Sequence, residues 1–276
     1  MKRKLAIVSA LIAVVLAFCG ILSVVTLHNN FFSPDYPIID LEPILLKEFF
    51  TEEDYKTLFY QTGLGKYAID SIKDDDDFIQ RVEEFQQGFF RKNKIVCKRE
   101  AITTCMEYNV SENGFYTRGF TVFDAKPGYV LIMEGSHSFG WRHGHAGLVI
   151  DENSVLEAPI IFEPTSVYGI YTWTYYPNFI MLRLKNTTDS RLKEIAENAK
   201  RDLEGVIYSP LAGVFNKKQK GTPKSVQCAY LVWYAFYNQG IDIDKDGDNI
   251  VTVSDIKNSD MFEVVQIYGY DPSLFI

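Results

Sequence analysis

Gly144-His145-Ala146-Gly147-Leu148-Val149-Ile150-Asp151-Glu152-Asn153-Ser154-Val155-Leu156-Glu157-Ala158 is the stretch on which the reading of this chain turns. Two short apolar runs, His145 to Ile150 and Ser154 to Glu157, flank the turn-forming Asp151-Glu152-Asn153, which predicts an antiparallel hairpin. The small pair Ala146-Gly147 leaves room for another element to approach the first strand. A turn near Glu152 and Asn153 brings Glu157 beside His145. A carboxylate there orients the imidazole and stabilises its cation, the third role in a nucleophile–base–acid set.

The hairpin sits among similar short runs. From about Thr121 onward, Tyr129 to Met133 and Phe179 to Leu184 are β-branched or aromatic and broken by turn residues. Asp189 to Leu203 reads as an amphipathic helix with Leu192, Ile195, Ala196, Ala199 and Leu203 on one face. Ser225 opens another helix, rich in apolar and aromatic residues, that stops at Gly240, a C′ glycine. Phe262 to Tyr268 is a last strand. Upstream, residues 31–118 read as mostly helical and irregular. Thr51-Glu52-Glu53-Asp54 carries a capping-box pattern. Asp74 to Asp77 precede Phe78, Ile79, Val82 and Phe85, acids that favour a helix start rather than a metal site. The fold class is α+β, with antiparallel strands between helices. Three regions follow: 1–30, 31–118 and 119–276.

Lys2-Arg3-Lys4 precedes an uncharged apolar run from Leu5 to Leu27. As a helix, 23 residues rise roughly 35 Å, enough to span a bilayer with some tilt. The basic residues stay cytoplasmic, which places the rest of the chain outside as a single-pass membrane protein. The competing reading is a cleaved signal peptide and a secreted body. Of 276 residues, 28 are basic and 36 acidic, for a net charge of −8. The first 34 residues hold three of those bases and no acid, so the remainder carries 25 against 36, or −11. Such a body has no general attraction for nucleic acid phosphates, and no nucleic acid partner is expected. Hydrophobic content of 47% excludes global disorder.

Four cysteines are too few for a disulfide scaffold. Cys19 lies in the apolar run, with Phe18 where a lipoprotein signal needs a small residue. In an exported body, Cys97 and Cys105 are the candidates to pair as a disulfide. Cys228 is left alone, either a buried hydrophobe or a reactive thiol. With Ser225 as N-cap, Cys228 falls in the first helical turn, where the dipole and free N–H groups favour the thiolate. Bases are scarce: of four histidines, His28 borders the apolar run, and His137, His143 and His145 lie within nine residues.

These segments resemble the circularly permuted branch of the NlpC-type papain-like cysteine hydrolases, most closely the bacterial YycO/YiiX-like proteins. Lys126-Pro127-Gly128-Tyr129-Val130-Leu131 resembles the family's opening strand, and Gly144 to Ile150 its histidine strand. Val155-Leu156-Glu157-Ala158 matches the segment that follows. Gln227-Cys228-Ala229-Tyr230-Leu231-Val232-Trp233 resembles its cysteine helix, and Gly240-Ile241-Asp242 with Val253-Ser254-Asp255-Ile256 its C-terminal part. The resemblance covers about residues 120–275. It implies a permuted papain-like fold with Cys228 as nucleophile, His145 as base and Glu157 as third member. Tyr129 departs from the family's usual Asp, and Ala229 from its common Ser. The implied chemistry is thioester formation on an amide or ester carbonyl, the oxyanion met by the Cys228 N–H, with Gln227 a weak candidate for the second donor. Outside a cell the natural amide polymer is peptidoglycan peptide. Alternatives are a lipid acyltransferase or thioesterase of the same fold, with Tyr168 to Tyr176 and Trp173 lining an apolar groove, or a non-catalytic binding module. A zinc site on His143 and His145, completed by His137 or Cys228, is a further alternative.

Finally, Asp244-Lys245-Asp246-Gly247-Asp248-Asn249-Ile250-Val251-Thr252-Val253-Ser254-Asp255 has the oxygen-ligand spacing of a calcium loop. Asp244, Asp246, Asp248, Ile250, Thr252 and Asp255 occupy its ligand positions, and an ion there would be structural. The alternative is a solvated Asp/Gly/Asn turn.

Overall fold

In a computed structural model, the structure describes residues 2–26, 31–101, 104–138, 140–213 and 221–276, with first-helix side chains described over 7–21. The chain begins with helix α1 (Lys2–Thr26), followed by α2 (Glu42–Leu45), α3 (Glu52–Thr62), α4 (Lys66–Ile72) and α5 (Phe78–Phe89). Thr51 and Asp54 cap α3 reciprocally, as their spacing predicts. Asp77 precedes α5 without a side-chain cap, and its neighbour Asp75 instead pairs with Arg81 at 2.7 Å. The expected membrane segment, residues 5–27, falls partly outside the described residues. Among those described, no helix is long and apolar enough to cross a membrane.

Region 31–118 holds four short helices and irregular segments, as expected, and one strand pair that was not. Strands β1 (Lys94–Arg99) and β2 (Thr104–Val110) form an antiparallel hairpin within it. Lys94, Lys98 and Arg99 obscure β1 in the sequence because it is an edge strand facing solvent, where charges discourage further pairing.

Next come β3 (Val130–Met133), β4 (Ser136–Ser138), β5 (Trp141–Arg142), β6 (His145–Asp151), β7 (Ser154–Glu157), β8 (Ser166–Gly169) and β9 (Phe179–Leu184). Helix α6 (Asp189–Leu203), β10 (Ile207–Tyr208), β11 (Ser225–Val226), α7 (Cys228–Tyr237), α8 (Val253–Lys257) and β12 (Phe262–Tyr268) complete the chain. The protein is mixed α+β with two antiparallel sheets. One has six strands in the order β12-β9-β3-β6-β7-β8, the other four in the order β1-β2-β4-β5.

Helix α6 keeps its expected boundaries and buries Leu192, Ile195, Ala196, Ala199 and Leu203. Helix α7 packs against both α6 and β6, and every residue from Cys228 to Phe236 is buried. A helix apolar all round must be enclosed on all sides. Its first cap is Gln227, not Ser225, because Ser225 and Val226 pair in parallel with Ile207 and Tyr208. Gly240 takes the expected left-handed φ of 86°, three residues past the helix end. Residues of both the 31–118 and 119–276 regions belong to one hydrophobic cluster. Tyr129, at the family's Asp position, is fully buried and its hydroxyl donates to that of Tyr67 on α4, at 3.2 Å.

Candidate active site

Cys228 is the first residue of α7, so its side chain sits at the positive end of the helix dipole. Its Sγ donates to Gln227 Oε1 at 3.7 Å and lies close enough to the His145 imidazole to perturb its titration. His145 opens β6, which packs directly against α7. Its Nε2 lies 2.8 Å from Glu157 Oε2. With Nε2 engaged by the carboxylate, Nδ1 is the nitrogen left for the thiol. All three side chains are buried: Cys228 is 4%, His145 2% and Glu157 3% exposed.

Glu157 reaches His145 along the sheet rather than straight across it. The register sets Glu157 opposite Gly147, two residues past His145 on the same face. Gly147 is the reason this works. A Cβ there would stand 2.7 Å from Val155 Cγ1, 3.0 Å from Trp173 Cζ2 and 3.1 Å from Glu157 Cγ. The expected close approach at this glycine therefore comes from Val155, Trp173 and Glu157.

Trp173 is the residue that sequence reasoning missed as part of this group. Its Nε1–H donates to Glu157 Oε1 at 2.9 Å, occupying the oxygen that His145 does not use. Its ring stacks on the imidazole, with centroids 5.5 Å apart and planes 18° from parallel. It lies in a 3-10 turn, Ile170–Tyr175, beyond β8. No local pattern distinguishes it from a packing aromatic.

The electrostatics follow from this geometry. Burial alone pushes the His145 pKa down, but hydrogen bonds and charge from Cys228 and Glu157 outweigh it and raise the value to about 10. The imidazole therefore holds its proton at neutral pH. His143 behaves oppositely: burial lowers it to about 4. It contacts the Gly144 carbonyl at 2.6 Å through Nδ1 and Ser138 Oγ at 2.8 Å through Nε2. His137 is held by Glu107 at 2.8 Å. The three histidines are each engaged separately, which corrects the zinc alternative. Among the described residues, the one group of three or more His, Cys, Asp or Glu with ligand atoms within 4.8 Å of one another is Asp244, Asp246 and Asp255.

Gln227 holds a structural place beside the thiol. Its Oε1 accepts from Ala229 N–H at 2.8 Å, and its Nε2 donates to the Val251 carbonyl at 2.6 Å. It caps α7 and ties the 251 segment to it. The Cys228 N–H, at the helix start, lacks an intrahelical acceptor and remains suited to that role. Beside the thiol lies a cleft of about 870 Å³ whose wall includes Trp141, Ile161, Tyr208, Val251 and Val253, with His143 and Gln227 among its polar residues.

The acidic loop gathers three of its six expected ligand residues. Asp255 is also engaged by Thr252 in a reciprocal cap at the start of α8, and the Asp248 carboxylate accepts from Ile250 N–H at 2.6 Å. Ile250 and Thr252 supply no side-chain carboxylate to the group. Cys97 and Cys105 are both free thiols, so the expected disulfide is not formed. The register pairs Cys97 with Glu107 and Arg99 with Cys105, leaving the two cysteines diagonal on one face of the hairpin. They are close enough to hydrogen-bond to each other.

No family model matches the chain, and no curated protein does. A solved structure described as "metalloprotein yiiX from Escherichia coli O157:H7, DUF1105" aligns with 52% of this chain and 97% of its own. The identity is 14% and the TM-score 0.39, a likeness too weak to establish family membership or activity.

Proposed function

We propose that this chain is a thiol hydrolase with a permuted papain-like, NlpC-type fold, working by acyl transfer through Cys228. The observation that carries this reading is a buried His145 that hydrogen-bonds to Glu157 and lies close to the Cys228 thiol at the start of α7. The Cys228 thiolate attacks a carbonyl carbon, the imidazolium protonates the leaving amine or alcohol, and a thioester remains on Sγ. Water, deprotonated by the now neutral imidazole, then releases the acid. Glu157 keeps the ring oriented and balances its charge throughout, and Trp173 fixes Glu157.

The expected extracytoplasmic compartment, with residues 5–27 as a membrane anchor, favours amide bonds of cell-wall peptides as substrate. The apolar side chains in the cleft wall favour a second reading, an acyl ester or lipid-linked substrate processed by the same residues. Calcium in the loop around Asp244, Asp246 and Asp255 is proposed as structural, since three carboxylates suit a hard cation. Unchanged thermal stability with added calcium or chelator would remove it.

The test of catalysis is alkylation of the full-length protein by an iodoacetamide probe near pH 7. Fast labelling at Cys228 that slows in His145→Ala supports the reading; slow labelling unaffected by that change would sink it. Digestion of purified muropeptides, or of phospholipid vesicles, by wild type and Cys228→Ala then separates the two substrate classes.

A further inference from the structure

Ser138 and His143 have no part in the thiol chemistry, yet both line the same cleft as Cys228. Their meeting follows from the hairpin of β4 and β5. Ser138 pairs directly with Trp141, and His137 with Arg142. Side chains alternate along a strand, so His137 and Arg142 fall on one face, where both reach Glu107. Ser138, Trp141 and, two residues on, His143 fall on the other. Ser138 and His143 are thus diagonal neighbours across the hairpin, a spacing that a long side chain can bridge. Gly144 then turns the chain with a left-handed φ of 75°, and His145 enters the other sheet beside Met133.

The partners of the two ring nitrogens fix the tautomer of His143. A carbonyl oxygen only accepts, so the 2.6 Å contact with Gly144 places the proton on Nδ1. In the neutral ring Nε2 is then an acceptor, and the Ser138 hydroxyl donates to it at 2.8 Å. A hydroxyl donating to an imidazole whose far nitrogen is held by an acceptor is the arrangement of a nucleophile, a base and an orienting group. Here the main-chain carbonyl of Gly144 orients the ring in place of a carboxylate. Burial lowers the His143 pKa to about 4 against the pull of that carbonyl, and His145 and His137 push the same way, so the ring is neutral at pH 7. His145 keeps its proton over the same range. One cleft therefore holds two imidazoles in opposite states, the condition for dividing acid and base work between them. Ser138 and His143 are both half-buried, as a hydroxyl and a base open to a substrate must be.

We propose that Ser138 and His143 are a second acyl-transfer site in this cleft, with Ser138 as nucleophile, His143 as base and carboxylic esters as the substrate class. Ser138 Oγ attacks the ester carbonyl carbon as His143 Nε2 takes the hydroxyl proton. The imidazolium gives that proton to the departing alkoxide, and an acyl ester remains on Oγ. Water then attacks the acyl-serine as His143 takes its proton, the carboxylic acid leaves, and Ser138 regains its hydrogen from the imidazolium. An uncharged orienting carbonyl supports the imidazolium less than a carboxylate does, so the site suits esters with a good leaving alcohol rather than amides. It needs neither Cys228 nor Glu157, and it stands or falls apart from the thiol chemistry.

The test uses the full-length protein with Cys228→Ala as the parent throughout, so that no signal comes from the thiol. It is treated near pH 7 with a fluorophosphonate, whose phosphorus takes the serine oxygen and loses fluoride, and the modified residue is located by peptide mapping. The expected result is phosphonylation of Ser138, together with hydrolysis of p-nitrophenyl acetate, both abolished by Ser138→Ala. His143→Gln fills much of the space of the ring but takes up no proton, and should slow both reactions by about 100-fold or more. Matching urea midpoints for parent and variant show that the variant is folded. If it does not fold, the parent is labelled in urea instead, where Ser138 should lose its reactivity. No modification of Ser138 in the folded parent, or modification that survives His143→Gln or unfolding, overturns the proposal and leaves the Ser138–His143 bond as a tie within the hairpin. Acetate hydrolysis that survives Ser138→Ala overturns it as well.

Discussion

Glu157→Gln isolates the charge that the structure places against His145. The side chain keeps its shape and its amide oxygen can still accept from Trp173, while its NH2 then faces His145 Nε2, so the change removes the negative charge and with it the acceptor that favours the imidazolium. An opposite charge in hydrogen-bond contact moves a pKa by about 1–3, or about 1.4–4 kcal/mol of preference for the charged form. Removing it should lower the His145 value from about 10 to roughly 7–9. The assay is the second-order rate of iodoacetamide alkylation at Cys228 between pH 5 and 11. In the wild type the rate should show an inflection near 10, where the imidazolium loses its proton. In Glu157→Gln that inflection should move into the neutral range. The same group links to stability. Its folded pKa lies above its ordinary 6.5, so its contribution is complete below that pH and is lost as pH rises toward 10. The variant should lose that contribution over a lower and narrower interval, readable by urea unfolding. Superimposable alkylation profiles for the two proteins would refute the claim that Glu157 holds the charge state of His145.

Trp173→Phe keeps the stacked ring but leaves Glu157 Oε1 without its donor, which should cost about 1–3 kcal/mol in chemical denaturation. It should also slow Cys228 alkylation, and full retention of both would show that Trp173 merely packs. Gly147→Ala forces a Cβ against Val155, Trp173 and Glu157, and should destabilise by about 1–3 kcal/mol with a loss of alkylation rate, while Ala146→Gly should leave that register intact. The Cys97 thiol is pushed up to about 11, first by partial burial and then by Cys105 and Glu107. Two pKa steps above its ordinary value reduce its thiolate about a hundredfold at neutral pH, so mass spectrometry after brief alkylation should find Cys228 modified well ahead of Cys97.

Much of this molecule is written in short-range pattern. The hairpin around Asp151-Glu152-Asn153, the strand at Phe262–Tyr268 and the helix at Asp189–Leu203 all stand where alternation, helical spacing and turn residues put them. Each rests on interactions between residues a few positions apart, which a single sequence displays directly. Cys228, His145 and Glu157 could be singled out for the same reason: a thiol at a helix start, and a histidine and a carboxylate on neighbouring strands.

What the sequence could not decide is which faces meet. Cys228 reaches His145 because α7 packs across β6, a contact between segments 83 residues apart that depends on the whole core closing around them. The cap at Gln227 instead of Ser225 exists because Ser225 is drawn into pairing with the Ile207 segment. The diagonal register of Glu157, the indole that occupies its second oxygen and the free thiols of the Cys97 hairpin are likewise products of packing. Local pattern determines the face on which a residue lies; the tertiary structure alone determines what that face touches, because contacts between distant segments form only when the chain between them has folded.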